Sequence, residues 1–258
     1  MMRLSKALTV AKKDFKAYFN SVVAYVLLTT FSGVMGFMFV AILNSYVDQS
    51  SRPDRMQMGR TLSLVDNLIK PIFGNMNVIF LFVIPAITMR LIAEEKRNNT
   101  IELLMTSPLN LSEIIFGKYL SAWAFAIVMI AMTLPYPFTL YLGAKPDWAV
   151  VMMSYMGTIL MVGLSISIGI FFSSLTDNQI IAYITTFGSL LLLWILNWAA
   201  YSSSTMMADV LRYVSVIDHF EDFSRGVFNT KDLVFFLSAI FFWLFLSYKA
   251  LESHKWRA

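Results

Sequence analysis

The stretch RLIAEEKRNNTIELLMTSPLNLSEIIFGKYL, Arg90 to Leu120, carries seven formal charges between Glu94 and Lys118 and lies between two apolar runs that carry almost none. It is the longest polar interval inside the part of the chain that reads as membrane-spanning, so the placement of the other segments is worked outward from it. Ile101, Leu104 and Met105 recur at helical spacing while Glu95, Lys96 and Glu102 lie off that face, which predicts a short amphipathic helix over 94–108. Pro108 pushes Ser107 out of the α region and ends it. A rigid helix across the mouths of two spans is a handle, and something soluble can push on it.

Within this interval EEKRNNTIELLMTSPLNLSEIIFGKYL resembles the signature of ABC type-2 transporter permeases, E-x-x-x-G-T-x-E-L-L-x-T-S-P followed by a span, and is especially similar to the gliding-motility-type branch. Asn99 stands where that family has glycine. Asparagine is the next most tolerant residue of left-handed backbone geometry, so a turn is still expected there. The resemblance implies a coupling helix, with Glu94, Glu95, Arg97, Thr100, Ile101, Glu102, Leu104, Met105, Ser107 and Pro108 docking in a groove of a separate ATPase subunit. Ile101, Leu104 and Met105 would fill the apolar floor of that groove, and Glu95, Arg97 and Glu102 would set register by charge pairing. It also implies cytoplasmic ATPase subunits that bind ATP and magnesium, a second permease subunit (the same or homologous), export, and a bacterial inner membrane. In this chain no cofactor is expected.

With 58% hydrophobic and 14% charged residues over 258 positions, the chain has more apolar surface than a soluble domain can bury, and an all-α polytopic membrane protein is the expected class. The absence of cysteine removes disulfides, thiolate metal sites and cysteine nucleophiles, and leaves the redox compartment open. A net charge of +4 reads as basic loop ends and gives nucleic-acid binding no support. No cleavable leader is expected, because residues 1–20 are basic and amphipathic and the run after them is long enough to remain a span.

In chain order, residues 1–20 place Leu4, Leu8, Ala11, Phe15 and Phe19 on one stripe, with Arg3, Lys6, Lys13 and Lys16 mostly elsewhere, as for an interfacial helix on anionic membrane lipids. Spans are expected at 22–47, 71–89, 119–142, 148–172, 180–198 and 233–248, all parts of one permease domain over 1–258. Gly33 and Gly36 of the first permit close packing. The loop from Asp48 to Lys70 is expected to lie outside, partly ordered by an amphipathic piece around Leu62, Leu64 and Leu68. Lys70 and Arg90 bound the second span and can snorkel to the two head-group regions. Asn75 and Asn77 suit either a lined path or, more commonly, interhelical hydrogen bonds. Pro135 and Pro137 bend or end the third span near its outer end.

Ser165, Gly169 and Ser173 repeat every four residues in the fourth span, a helix-packing stripe that suits a second copy of the chain or a neighbour in the same subunit. Asn197 is the only strongly polar residue of the fifth span and lies at an end. Across 201–232, Leu211, Val214, Ile217, Phe220 and Phe223 alternate with acids, so the segment is expected to lie half in the membrane. SVIDHFEDFSRGVFNTKD resembles the family's final motif, which implies re-entrant-like external helices forming a lid, with Phe220, Phe223, Arg225 and Gly226 in it. His219 can titrate near neutrality, though a histidine beside acids is more often solvated. Twelve of the twenty Lys and Arg fall on the side of both termini and of 94–108 and eight on the other, which favours a cytoplasmic amino end.

An ion-coupled carrier needs ionisable side chains inside its spans, and the six apolar runs are read as having none at membrane depth. No G-x-x-x-x-G-K-[ST] occurs: Tyr119 follows Gly117-Lys118 and Ser112 takes the earlier glycine position, so nucleotide must be bound by another polypeptide. The two histidines, His219 and His254, lack the spacing of a zinc site, and no base is placed beside a membrane serine. The reading is therefore a non-enzymatic permease subunit driven by a separate ATPase. The alternative is a membrane scaffold of a motility or envelope complex, and a channel is weaker because no charged ring marks a pore.

Overall fold

Lipid offers the backbone no hydrogen-bonding partner, so a crossing segment must satisfy its own N–H and C=O groups, and an isolated apolar run does so as a helix. In the computed structural model, which describes residues 4–51, 63–100, 109–144, 146–202 and 212–255, the described residues contain helices and turns but no strand. Six helical stretches are long and apolar enough to cross a membrane: Val22–Ser50, Val65–Arg97, Leu111–Tyr141, Trp148–Leu175, Gln179–Asn197 and Thr230–Ser253. The chain is an all-α, multi-pass membrane protein.

The helices are α1 (Leu4–Phe19), α2 (Val22–Ser50), α3 (Lys70–Thr88), α4 (Ala93–Arg97), α5 (Leu111–Ala131), α6 (Pro135–Ala144), α7 (Trp148–Leu175), α8 (Gln179–Ser202), α9 (Val216–Ser224) and α10 (Thr230–Lys255). A π-helical turn, Val65–Ile69, leads directly into α3. The expectation that Lys70 bounds the second span is corrected here. Leu68 and Ile69 are buried, and Lys70 reaches back one turn to Asp66 at 2.7 Å, so the helix begins before the basic residue.

Burial divides the spans into two layers. The central windows of the Val65–Arg97, Leu111–Tyr141 and Trp148–Leu175 stretches are 61%, 61% and 67% buried, against 17%, 17% and 11% for those of Val22–Ser50, Gln179–Asn197 and Thr230–Ser253. Thus α3, α5 and α7 form the inner layer, and α2, α8 and α10 present apolar side chains such as Phe37, Leu192 and Phe241 outward, as a hydrocarbon solvent requires. The central element is α7, which packs on α3, α5, α8, α9 and α10.

Small residues set the closest approaches. At Gly117 of α5 an added Cβ would sit 2.7 Å from the Val10 Cβ and 2.8 Å from the Ala7 carbonyl oxygen, so α1 crosses α5 there with Ala7 and Ala11 buried beneath it. Leu4 and Leu8 point away and are exposed, so the apolar stripe read from the sequence splits between a protein-facing side and an outward side. The third span is broken at 132–134, and Pro135, which has no N–H to donate, opens α6.

Candidate functional site

The interval that organised the sequence is anchored at a second break. After α3 the chain leaves the helix over 89–92 and re-enters it in α4. Such a break strands carbonyls on one side and N–H groups on the other. The Ser173 hydroxyl of α7 answers both: it donates to the Met89 carbonyl at 3.2 Å and accepts from the N–H groups of Ile92 and Ala93 at 3.2 and 3.1 Å. A hydroxyl offers one donor and two acceptor positions, and all are used. One turn earlier, Gly169 lets α3 close in, since a Cβ there would lie 2.2 Å from Thr88 Oγ1. Of the two partners that the sequence leaves open for the Ser165, Gly169 and Ser173 stripe, the structure takes the internal one at Gly169 and Ser173. Among the described residues Ser165 bonds only its own helix, donating to the Met161 carbonyl.

Glu94 and Glu95 open α4 and Lys96 and Arg97 close it, so the charges complement the helix dipole. The helix stops at once. Thr100 N–H bonds the Glu95 carbonyl at 3.0 Å, Asn99 N–H bonds the Lys96 carbonyl at 3.1 Å, and Asn99 takes φ 54°, which together make a Schellman cap with asparagine in the left-handed position. The expectation of one helix over 94–108 is therefore corrected: a left-handed residue cannot continue an α-helix, and α4 ends at Arg97. Ile101, Glu102, Leu104, Met105, Ser107 and Pro108 lie outside the described residues, while Glu94 and Glu95 are half-buried and Arg97 and Thr100 exposed.

Charge locks this turn to two further helices. Lys118 of α5 is 3% exposed, and its ammonium lies 2.7 Å from Glu95 Oε1 and 3.4 Å from Asp14 Oδ2 of α1. Lys96 donates to the Ser174 carbonyl at the end of α7. Segment 89–100 is thus tied to α1, α3, α5 and α7. Two buried ionisable residues also correct the reading of the spans. The third begins at Leu111, not at 119, so Lys118 and the fully buried Glu113 belong to a spanning helix, Glu113 accepting the Asn110 N–H at 3.1 Å as a cap.

The far end of α7 holds α9. Ser215 caps it by accepting from the Asp218 N–H at 3.3 Å, and Gly157 admits it, since a Cβ there would lie 2.6 Å from the Phe223 Cβ. Phe220 and Phe223 are buried, Arg225 is exposed and pairs with Glu221, and Gly226 turns the chain with φ 80°. The helical part of the segment packs on α7 and α8, and 203–211 is outside the described residues. His219 is not solvated: its Nδ1 lies 2.6 Å from Asp232 Oδ1, its Nε2 3.0 Å from the Tyr213 carbonyl oxygen, and its ring stacks on Phe235 at 3.9 Å. Asn197 reaches across from α8, donating to Asp218 Oδ1 at 2.7 Å and to Ser215 Oγ at 3.3 Å. Burial raises the Asp218 pKa above the usual carboxylate range, against the hydrogen bond from Asn197.

With two anchored ends on six apolar helices in view, the sequence comparison is decisive: residues 8–251 match the family described as ABC-2 family transporter protein. The chain belongs to the ABC-2 transporter family. No curated protein matches its sequence. In this ABC-2 protein residues 94–100 of the interval singled out in the sequence form α4 and its Schellman cap, with Asn99 in the left-handed position. The sequence missed Lys118 and Ser173 as joint-forming residues because their partners are distant in the chain, Asp14 being 104 positions from Lys118. Asn77 goes the other way. Neither side-chain atom of this buried amide has a hydrogen-bond partner among the described residues, so the interhelical bond that was its commoner reading is not made.

Proposed function

We propose that this ABC-2 chain is the permease subunit of an ATP-driven exporter, closest to the gliding-motility-type branch that its 95–108 segment resembles. A separate ATPase would dock on segment 94–108 from the cytoplasm of a bacterial inner membrane, with Ile101, Leu104 and Met105 seated in its groove and Glu95, Arg97 and Glu102 setting register. ATP and magnesium would be held there and not in this chain. A second permease subunit and bilayer lipid would share the outward apolar faces of the outer helices. Both chain ends would be cytoplasmic, and α9, with Phe220, Phe223, Arg225 and Gly226, would close the exit side as a lid.

The observation that carries this reading is Glu95: it lies in the docking segment and bonds Lys118, which also contacts Asp14, so a push on the segment is delivered to α5 and α1 together. Ser173 delivers it to α7 as well. The test is Glu102→Arg in the native membrane assembly. ATPase co-purification and transport-linked ATP turnover should both fall while membrane insertion is unchanged. Normal assembly and turnover in that variant would overturn the reading.

A further inference from the structure

His219 sits where α9, α10 and the residues entering α9 meet, and both of its ring nitrogens face oxygen. Nδ1 lies 2.6 Å from Asp232 Oδ1, and Nε2 lies 3.0 Å from the Tyr213 carbonyl oxygen. A carbonyl only accepts, so Nε2 must carry hydrogen. A neutral ring has a single N–H and would then turn a lone pair on the Asp232 carboxylate, while the opposite tautomer would turn one on the Tyr213 carbonyl. A ring rotated by half a turn fits no better, because it would set a carbon 2.6 Å from the carboxylate oxygen. The two contacts close together only if the pair holds one proton more than a neutral imidazole and a carboxylate do.

The surroundings place that proton on the ring. Imidazole is intrinsically a far stronger base than a carboxylate. Asp232 lies in the first turn of α10, where the helix dipole favours the ionised acid. The ring stacks on Phe235 at 3.9 Å and 22°, a face that attracts a cation. Between residues 212 and 232 the carboxylates are Asp218, Glu221, Asp222 and Asp232 and the fixed cations Arg212, Arg225 and Lys231, so a charged His219 brings the two signs to parity. The neighbouring helices add no charge at the contact, α7 meeting α9 at Gly157 and α8 reaching Asp218 with the neutral Asn197. We infer that His219 is an imidazolium, a buried cationic latch that ties Tyr213, α9 and α10 together, and that this end of the bundle gives up a proton when α9 parts from them. A released imidazole in water is mostly neutral at physiological pH, so opening and proton loss are linked. The latch goes beyond the transport reading and does not depend on it, since it concerns a joint within the chain.

Nitrogen NMR of the full chain, isotope-labelled at histidine, tests the assignment. The chain has two histidines, so His254→Gln leaves the His219 ring as the only labelled imidazole. At neutral pH both of its nitrogens should be bonded to hydrogen. A bare nitrogen at either position would overturn the cation. The latch is read separately with a spin label on Val214→Cys, an exposed site in a chain without native cysteine. In the otherwise unaltered chain the label should gain mobility several-fold as the pH is raised from about 7 to about 9, below the ordinary lysine and tyrosine range. His219→Phe keeps an aromatic ring on Phe235 but offers no hydrogen bond, so its label should be mobile at both pH values. A label as immobile in His219→Phe as in the parent, a pH response that survives in that variant, or a parent label indifferent to pH would each overturn the latch.

Discussion

Lys118 and Glu95, twenty-three positions apart, meet at 2.7 Å with the lysine almost wholly removed from solvent, and a second carboxylate, that of Asp14, stands 3.4 Å away. Removing one member of a buried pair leaves uncompensated charge, at a cost of about 3–5 kcal/mol. Lys118→Met should lower the thermal midpoint in detergent accordingly. Adding Asp14→Asn and Glu95→Gln to it should restore most of the loss, because the stranded charges go with the lysine. Equal midpoints for the single and triple variants would contradict the charge account.

Two glycines separate close packing from mere helix propensity. Gly169→Ala drives a methyl into Thr88 and should destabilise by about 1–3 kcal/mol as overpacking. Gly188 of α8 has nothing within 4 Å of an added Cβ, so Gly188→Ala should stabilise by about 0.5–1 kcal/mol through reduced chain entropy. Scanning calorimetry of the two variants should move the midpoint in opposite directions.

Ser173→Ala removes a hydroxyl that makes three bonds across the break and should cost about 1–3 kcal/mol through stranded backbone groups. The loss should be local. Hydrogen exchange of the Ile92 and Ala93 amides should speed markedly while amides in the middle of α7 keep their protection.

Asn77 carries an amide that is buried and unpaired among the described residues, so Asn77→Leu should raise stability by about 1–2 kcal/mol. A stabilised variant that has lost transport would mark Asn77 as a functional group retained against folding.

The Asp218 carboxyl has its pKa raised in the folded chain, chiefly by burial. A raised folded pKa means that the favourable contribution is complete below the unfolded value and is lost as pH rises through the folded one. Ionised Asp218 is thus unfavourable at neutral pH. Asp218→Asn should have the higher midpoint near neutrality, and the difference should shrink on acidification toward the ordinary carboxylate range. A pH-independent difference would point to the Asn197 contact instead.

The six crossings were legible because length and apolarity suffice to mark them, and the turn at Asn99 was legible because few side chains tolerate its backbone. The joints were not. Ser173 read as one member of a small-residue stripe, and nothing in its neighbours announces three bonds to residues 80 to 84 positions earlier. Lys118 read only as the last charge of the polar interval because its carboxylates come from α1 and α4. His219 read as solvated because acids adjoin it in the sequence, whereas α10 begins at Thr230 and brings the Asp232 carboxylate onto the ring. Periodicity reports which face of a helix is apolar and cannot report which distant helix covers it.

The break at 89–92 has a mechanical corollary. Its two stubs are pinned by one oxygen atom that belongs to neither, so bending there cannot proceed while α7 stays still unless hydrogen bonds are given up. A hinge whose axle is carried on a third beam transmits rotation instead of absorbing it, and Ser173 shares that duty with the Lys96 and Glu95 contacts on the far stub.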